Sequence, residues 1–482
     1  MELSGLQVIL MLFTMFFISG CGIFSARKIH SAEGFSLNGR NTSTAMITGA
    51  LAGSCIGGGA TIGTSQLAFS VGLSAWWFNL GIGTGFIIMA IFFSRKLRES
   101  GCETLSQILV RDYGRNSGPI ASLIASFGIF FSCVASVLPA LYLLSVMLEV
   151  PISISAVILF ILIASYVFFG GMKGASVSGI AKTIILWSML AIVTWISYDK
   201  LSSIPDWDQV FPEGIWLDLF GRGYATCMEN LLSLVVGITC AQTYMQIMFS
   251  ARDVRSAQIG AVCAAAVSIP VGVPCIMAAM YMHAAHPETE PILALPIFVL
   301  NYMDPALAGI TLGAIMMSLI SSISGLTLGI STMLSRDILS KIFHLKQSDQ
   351  LFKANRATVI VITVTVIIFA LSHLKSQVLM WNFFSMSFRG SIFIPLALAI
   401  YDSKILPPFW AIPAMLISAF FATFAKSLFE LTIPPLFAGM AASLVIVILG
   451  ATLGKKYNIR ILRFIASLYR LLHLKHRHRQ TN

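Results

Sequence analysis

Charge is what this chain of 482 residues has least of: 11% of its residues are Asp, Glu, Lys or Arg, and 57% are hydrophobic. A soluble globular protein carries about 25% charged residues. Uncharged stretches of the roughly 20 residues that a helix needs to cross a bilayer recur along the whole length. The intervals between them are too short for a soluble domain. The scarcity of charge excludes an ordinary soluble protein and predicts a single all-α polytopic membrane protein.

Other absences exclude further classes of function. The eight cysteines form no CxxC pair and no cluster with histidine, so neither a disulfide framework nor a zinc site is expected. No nucleophile–base or metal-ligand constellation is present, and we expect no enzyme activity. The net charge of +11 comes from short connectors and a C-terminal tail, not from a basic patch interleaved with aromatic residues, which excludes a nucleic-acid partner. The expected partners are membrane lipid and a small-molecule solute, with no obligate protein partner.

Apolar runs bounded by charged residues, Pro or Gly predict about thirteen membrane spans. They are 6–24, 44–70, 75–93, 119–147, 152–169, 177–196, 225–249, 259–281, 307–334, 357–371, 378–401, 408–425 and 436–453. With the N-terminus outside, 25 of the 31 Lys and Arg residues fall on the inner side. This asymmetry supports the orientation, puts the C-terminus inside and fits a multi-pass protein of a bacterial inner membrane.

Acidic residues are missing from the middle of every predicted span, so an intramembrane proton relay has no obvious carboxylate. A coupling cation would have to be held by neutral oxygens. Span 44–70 is rich in glycine, including Gly49, Gly53 and Gly57, and glycine lets backbone carbonyls leave the helical ladder and face a cation. The alternative is that these glycines form a close helix contact of the GxxxG kind.

The span 307–334 supplies hydroxyl oxygens. Ser318, Ser321 and Ser322 are spaced i, i+3 and i+4, so they share one face of a helix. Together they are able to converge on a neighbouring group. The alternative is that each serine bonds back to its own helix or packs against a neighbour.

Several motifs occur together in an order and spacing that resemble the sodium:solute symporter family over nearly the whole chain. They are the segment 35–40 (Phe-Ser-Leu-Asn-Gly-Arg), the pair Gly170 and Gly171, the segment 246–252 (Gln-Ile-Met-Phe-Ser-Ala-Arg), and Ser321 and Ser322 ahead of Ser335-Arg336-Asp337. The resemblance implies a LeuT-like fold with two inverted repeats of five helices. It implies a peripheral helix and loop at 1–43, repeats at 44–198 and 225–401, an outer loop at 199–224, two peripheral helices at 402–454 and a basic cytoplasmic tail at 455–482.

The resemblance also implies a sodium site between the two polar spans. Carried onto this chain, its ligands are the carbonyls of Gly53 and Ile56 together with Ser318, Ser321 and Ser322. The glycine density and the serine spacing fall on the same residues, and sodium is therefore the expected cofactor.

One segment departs from the family pattern. Where the family usually has a Thr-Asp pair in its fifth core helix, residues 178–182 read Ser-Gly-Ile-Ala-Lys, so a second sodium ion is not expected. The ammonium of Lys182 is a possible tethered substitute for sodium at the remaining site, which would remove the reason to expect sodium as the energy source. The favoured expectation is that Lys182 extends to the cytoplasmic surface, about 9 Å away by helical rise.

Arg389 is the residue most informative about the solute. It falls near the centre of span 378–401, where a guanidinium costs at least about 2.5 to 3.5 kcal/mol unless it faces a wet cavity or a partner. By resemblance this span borders the solute pathway, where an arginine would pair with a carboxylate. The alternative is a structural role in which Arg389 ties carbonyls of broken helices or reaches Glu229. Further solute candidates are Ser54, Cys55, Thr61 and Gln242.

These observations predict a sodium-coupled secondary active symporter that imports a small organic solute, with a carboxylate or zwitterion expected, by alternating access. One alternative is a sodium-independent exchanger or proton-driven carrier with Lys182 in place of sodium. Another is a membrane sensor that uses a transporter fold to detect solute.

Overall fold

The computed structural model describes residues 3–26, 32–205, 207–345, 347–374, 376–430 and 433–453. The predicted basic tail at 455–482 lies outside these residues. Within them the chain forms helices and no β-strand, as predicted for an all-α protein.

The helices of the first half run to residue 202. They are α1 Gly5–Ala26, α2 Ala32–Leu37, α3 Thr44–Cys55, α4 Thr64–Val71, α5 Trp77–Ile88, α6 Ser94–Glu99, α7 Leu105–Tyr113, α8 Ser117–Leu148 and α9 Ile152–Ser202. Short 3-10 turns cover Asn38–Arg40 and Gly72–Trp76, and π-helical turns cover Gly59–Gly63 and Met89–Phe93.

The second half continues in the same manner. Its helices are α10 Trp207–Val210, α11 Tyr224–Thr239, α12 Gln242–Ser250, α13 Val254–Ser268, α14 Gly272–Ala285, α15 Ala294–Tyr302, α16 Pro305–Met333, α17 Ser340–Ile342, α18 Ser348–Leu371, α19 Val378–Gly390, α20 Phe393–Tyr401, α21 Pro408–Phe429 and α22 Pro435–Leu453. A 3-10 turn covers Pro291–Leu293, and a π-helical segment, Leu334–Leu339, extends α16.

Many of the helices are long enough to span a membrane. Among the described residues, nine helices are long and apolar enough to cross a bilayer, or up to eleven if each of two bent pairs is one span. Thr44–Cys55, Ile152–Tyr166 and Pro291–Tyr302 are shorter apolar helices. The protein is therefore a multi-pass membrane protein, whereas thirteen spans and the orientation of the termini stay predictions.

The two predicted spans that begin the expected repeats are broken near their middle. The first breaks after α3, where Ile56 leaves the helical region with ψ of 86° and the chain resumes as the π-helical turn Gly59–Gly63. The second breaks at Cys240 and Ala241, where α11 and α12 meet at a bend of 50°. A break frees carbonyls that a continuous helix would use for its own hydrogen bonds. Each of the two expected repeats thus begins with a helix that exposes backbone oxygens.

The helix α16 forms the centre of the bundle. It starts at Pro305, with the Asp304 side chain accepting a hydrogen bond from the amide of Ala306 at 2.9 Å, a regular N-cap. From Thr311 to Met333 every residue is buried, and the helix packs against α1, α3, α8 and α9. The serine face of α16 is therefore held against the break that follows α3.

Candidate cation and solute sites

The break after α3 and the serine face of α16 meet, as the sequence predicts. Ser321 donates to the carbonyl of Gly53 at 3.0 Å, and Ser318 donates to the carbonyl of Ile56. Ser322 donates to the carbonyl of Ser54. The structure thus brings together all five residues predicted to bind sodium, but the hydroxyl of Ser322 faces the next carbonyl along. We call the carbonyl oxygens of Gly53 and Ile56 and the hydroxyl of Ser321 the cradle.

Lys182 lies in the cradle. Its Nζ atom donates to the carbonyl of Gly53 at 2.8 Å, to the carbonyl of Ile56 at 2.9 Å and to the hydroxyl of Ser321 at 2.9 Å. The side chain is 0% exposed. An ammonium has three N–H donors, and each finds an oxygen here. The expectation that Lys182 extends to the cytoplasmic surface is wrong.

The approach of α9 to α3 explains this placement. A Cβ atom on Gly53 would lie 2.9 Å from the Cα of Gly179, so a glycine is needed for the two backbones to come this close. Gly171 has a φ of 53°, which kinks α9 ahead of this contact. Lys182 follows Gly179 by three residues and therefore lies beside the break, on nearly the same face. The close helix contact and the freed carbonyls, set out as alternatives from the sequence, occur together.

A small cavity adjoins the cradle. Its volume is about 20 Å³, roughly the space of one water molecule. Most of its wall is hydroxyl, thiol, amide, thioether or aromatic. These residues are Ser54, Cys55, Phe78, Ser132, Ser136, Tyr244, Ser322, Asn382 and Met386, and the rest of the wall is Gly58, Gly59, Ile82 and Leu326. A larger, almost wholly apolar cavity of about 490 Å³ lies elsewhere, beside Trp207 and Met277. Because it has few polar groups to orient a solute, the small cavity is the better candidate for the solute site.

The four other solute candidates separate into two pairs. Ser54 and Cys55 line the small cavity. Thr61 is not in its wall, and its hydroxyl donates to the carbonyl of Gly57 at 2.9 Å within its own turn. Gln242 is also outside the wall: its Nε2 donates to the carbonyl of Glu103, and its Oε1 accepts from the amide of Leu105, each at 2.9 Å. The structure therefore gives Thr61 and Gln242 structural contacts.

Arg389 is fully buried directly behind the cavity wall. Its Nη2 donates to the hydroxyl of Ser132 at 3.3 Å and contacts the sulfur of Met386, and both of those residues line the cavity. Its Nε donates to the carbonyl of Ser385, one turn away on α19, at 3.3 Å. Its Nη1 has no hydrogen-bond partner among the described residues.

A second polar cluster, which was not identified from the sequence, closes the end of the bundle near α7. Asp337 is only 4% exposed, and its carboxylate accepts hydrogen bonds from Ser122 at 2.8 Å, from Thr104 at 3.2 Å and from Ser106. The neighbouring Arg336 forms an ion pair with Glu103. Burial raises the pKa of the Glu103 carboxyl, although the charge of Arg336 acts in the opposite direction.

This cluster holds the segment 103–106 from two sides. Gln242 of α12 holds the backbone of Glu103 and Leu105, while Arg336 and Asp337 at the end of α16 hold its side chains. The available signal was the motif Ser335-Arg336-Asp337, which places a carboxylate on the helix that carries the serines.

Comparisons with known proteins agree with this architecture. The model of the sodium:solute symporter family matches residues 35–407. The high-affinity choline transporter 1 of Drosophila melanogaster is 25% identical over 399 residues, which are 77% of this chain and 62% of that relative. The human high affinity choline transporter 1 is 24% identical over 340 residues, 66% of this chain and 57% of that relative. The chain thus spans less than two thirds of the length of these two relatives.

Solved structures show the same fold. A Na+-coupled sialic acid symporter in an outward-open state superimposes with a TM-score of 0.77 at 15% identity, covering 93% of this chain and 97% of that one. A nucleobase-cation-symport-1 family transporter in a closed conformation gives a TM-score of 0.56 at 12% identity, covering 85% and 92%.

Proposed function

Because the chain belongs to the sodium:solute symporter family, we propose that it is a secondary carrier in which the Lys182 ammonium stands in place of a sodium ion. It moves a small organic solute across a bacterial inner membrane by alternating access. The solute lies in the small cavity between the break after α3 and the wall formed by α8 and α19. No sodium gradient is then required.

The observation that carries this proposal is the set of three hydrogen bonds from Lys182 Nζ to the cradle, at 2.8, 2.9 and 2.9 Å. A sodium ion bound to the same oxygens would lie within about 4 Å of a buried ammonium. Two unit charges at that distance repel by about 4 kcal/mol at an effective dielectric constant near 20. The cradle therefore holds one monovalent charge, and the chain supplies it.

The ammonium also links neighbouring helices, as a bound ion would. It joins the break after α3 to α9 and α16, which are separate elements of the bundle. Because the amine is part of the chain, it is not released together with the solute.

Sodium-coupled symport is the second candidate. The family carries sodium in its name, and the solved sialic acid symporter is described as Na+-coupled. In this case sodium takes the cradle and Lys182 moves out of it. The two candidates differ in whether the native protein responds to sodium.

Thermal unfolding of the purified protein separates them. We expect the melting temperature of the native chain to be equal in sodium chloride and in N-methyl-D-glucamine chloride. In Lys182→Ala the cradle oxygens lose their cation and become available, so sodium should stabilise this variant selectively. The gain is about 1.4 kcal/mol when sodium is at about ten times its dissociation constant.

Lys173→Ala is the matched control, since Lys173 lies on the same helix outside the cradle. It should respond to neither salt. Selective stabilisation of the native chain by sodium would contradict the proposal and favour sodium-coupled symport.

A further inference from the structure

The wall of the small cavity carries no charged side chain, yet a buried cation lies close behind it. None of the residues that line the cavity is Asp, Glu, Lys or Arg. The buried cation is Arg389, which reaches the cavity wall through Ser132 and Met386. The wall thus lies in the field of a fixed positive charge that no carboxylate in the wall balances.

Arg389 differs from the other buried cation near the cavity in being incompletely paired. Lys182 uses all three of its N–H groups on oxygen acceptors. Nη1 of Arg389 has no partner in the described part of the chain, and another of its contacts is to the thioether of Met386, a weak acceptor. Burying a guanidinium with donors unpaired is costly, which points to a ligand that completes the pairing.

The hydroxyl groups beside Arg389 do not have free protons to bind an anion themselves. Ser385 donates to the carbonyl of Gly128 at 2.5 Å. Its oxygen therefore accepts from Ser132, 2.7 Å away, and the oxygen of Ser132 accepts from Arg389. This chain of bonds commits both hydroxyl protons and leaves Nη1 of Arg389 as the available donor.

We propose that Arg389 is the anion-binding residue of the solute site and that the transported solute carries a carboxylate. The carboxylate displaces the flexible thioether of Met386, which lies between the guanidinium and the cavity, and binds the guanidinium. A carboxylate is a far stronger acceptor than a thioether, and the low-dielectric surroundings strengthen the pair. This inference rests on the proposed function, since it takes the small cavity to be the solute site.

The inference separates this chain from the choline transporters to which it is similar. Phe78 and Tyr244 line the cavity and offer aromatic faces of the kind that attract quaternary ammonium groups. The fixed charge of Arg389 opposes such a ligand. The charge of the solute, rather than its shape, is therefore the property to test.

The test measures the binding of matched ligand pairs to the purified protein, using thermal unfolding as the readout. The probes are carboxylates of one to six carbons, plain and with hydroxyl or keto substituents, each paired with its uncharged amide, together with choline and chloride. We expect at least one carboxylate to bind at least about tenfold more tightly than its amide, with no binding of choline. Equal binding of amide and carboxylate, binding of choline, or no carboxylate binding at roughly 10 mM overturns the proposal.

The chloride arm distinguishes two sources of the same chemistry. Stabilisation by chloride alone, with no response to any carboxylate, would assign Nη1 to an inorganic anion and overturn the role in solute binding.

Variants test the residue itself. Arg389→Met should remove the preference for carboxylate over amide, and Arg389→Lys should retain it in weaker form because a point charge remains. Arg222→Met, which replaces a half-buried arginine of the outer loop, is the control and should keep the native preference. If Arg389→Met does not fold, the ligand pairs on the native chain and the Arg389→Lys variant still decide the matter.

Failure of this inference is distinguishable from failure of the proposed function. Sodium response is recorded on the same samples. A sodium response with an intact carboxylate preference rejects the substitution of sodium by Lys182 and leaves the role of Arg389 standing. No sodium response together with a lost carboxylate preference rejects the role of Arg389 and leaves the substitution of sodium by Lys182 standing.

Discussion

The three serines on one face of α16 make different contacts at the cradle. Ser318 and Ser322 donate to carbonyls of the break after α3. Ser321 also accepts a hydrogen bond from Lys182 at 2.9 Å, so it contacts both the break and the cation. Of the three serines, Ser321 should therefore contribute most to the free energy of folding.

We expect Ser321→Ala to lower the free energy of unfolding by about 1 to 3 kcal/mol, because it leaves one N–H of a buried ammonium without an acceptor. Chemical or thermal unfolding in detergent measures the change. Ser331→Ala is the matched control on the same helix, since Ser331 donates to the carbonyl of Leu328 in its own turn, at 3.0 Å. Equal losses in the two variants would argue against a special role of Ser321.

The residues of the cradle were predictable from the sequence, but the position of the lysine was not. Glycines 49, 53 and 57 and the serine spacing are local patterns, and the motif order indicated that both contribute to one site. The position of Lys182 along its helix gave its distance from the cytoplasmic surface, but not the direction in which its side chain points. The direction depends on the contact between Gly53 and Gly179, residues far apart in the sequence that pack together only in the fold.

At the scale of elements, the segment 103–106 links the start of α12 to the end of α16, and we call it the clamp. On one side Gln242 at the start of α12 holds its backbone with two hydrogen bonds of 2.9 Å. On the other side Asp337 accepts hydrogen bonds from Thr104 and Ser106. Separation of α12 from α16 at this end requires that one set of bonds breaks.

Gln242→Ala should loosen this clamp on the α12 side. It removes the acceptor of the Leu105 amide and the donor to the Glu103 carbonyl, each worth about 0.5 to 1.5 kcal/mol. We expect faster amide hydrogen exchange in α7, Leu105–Tyr113, measured by mass spectrometry. Gln258→Ala on α13 serves as the control and should leave exchange in α7 unchanged. Unaltered exchange in Gln242→Ala would show that the clamp is held from the α16 side alone.

The two breaks illustrate what a sequence reveals about elements. Glycines 57–59 mark the break after α3, because glycine weakens a helix wherever it clusters. The bend between α11 and α12 falls at Cys240 and Ala241, which are neither glycine nor proline, and the sequence predicted one uninterrupted span there. The local sequence pattern therefore does not mark this break.

For the whole molecule, the fold class followed from composition, and the family and its fold followed from the order of the motifs. The distribution of Lys and Arg adds a further expectation, which is the direction of insertion into the membrane. Only Lys200, Arg222, Lys375 and Lys426 fall on the predicted outer side, against 25 basic residues on the inner side. Transfer of so many charges across the membrane during insertion is unfavourable, so the orientation is strongly biased.

This bias predicts the location of the termini and of the outer loop. Fused to the C-terminus, green fluorescent protein should fluoresce because it remains in the cytoplasm, whereas alkaline phosphatase inserted after Gly214, in the loop between α10 and α11, should be active because it is exported. The matched control is alkaline phosphatase inserted after Gly101, between α6 and α7, which should be inactive. An active enzyme after Gly101 together with an inactive one after Gly214 would reverse the orientation, and activity at both sites would mean that the number of spans between them is even rather than odd.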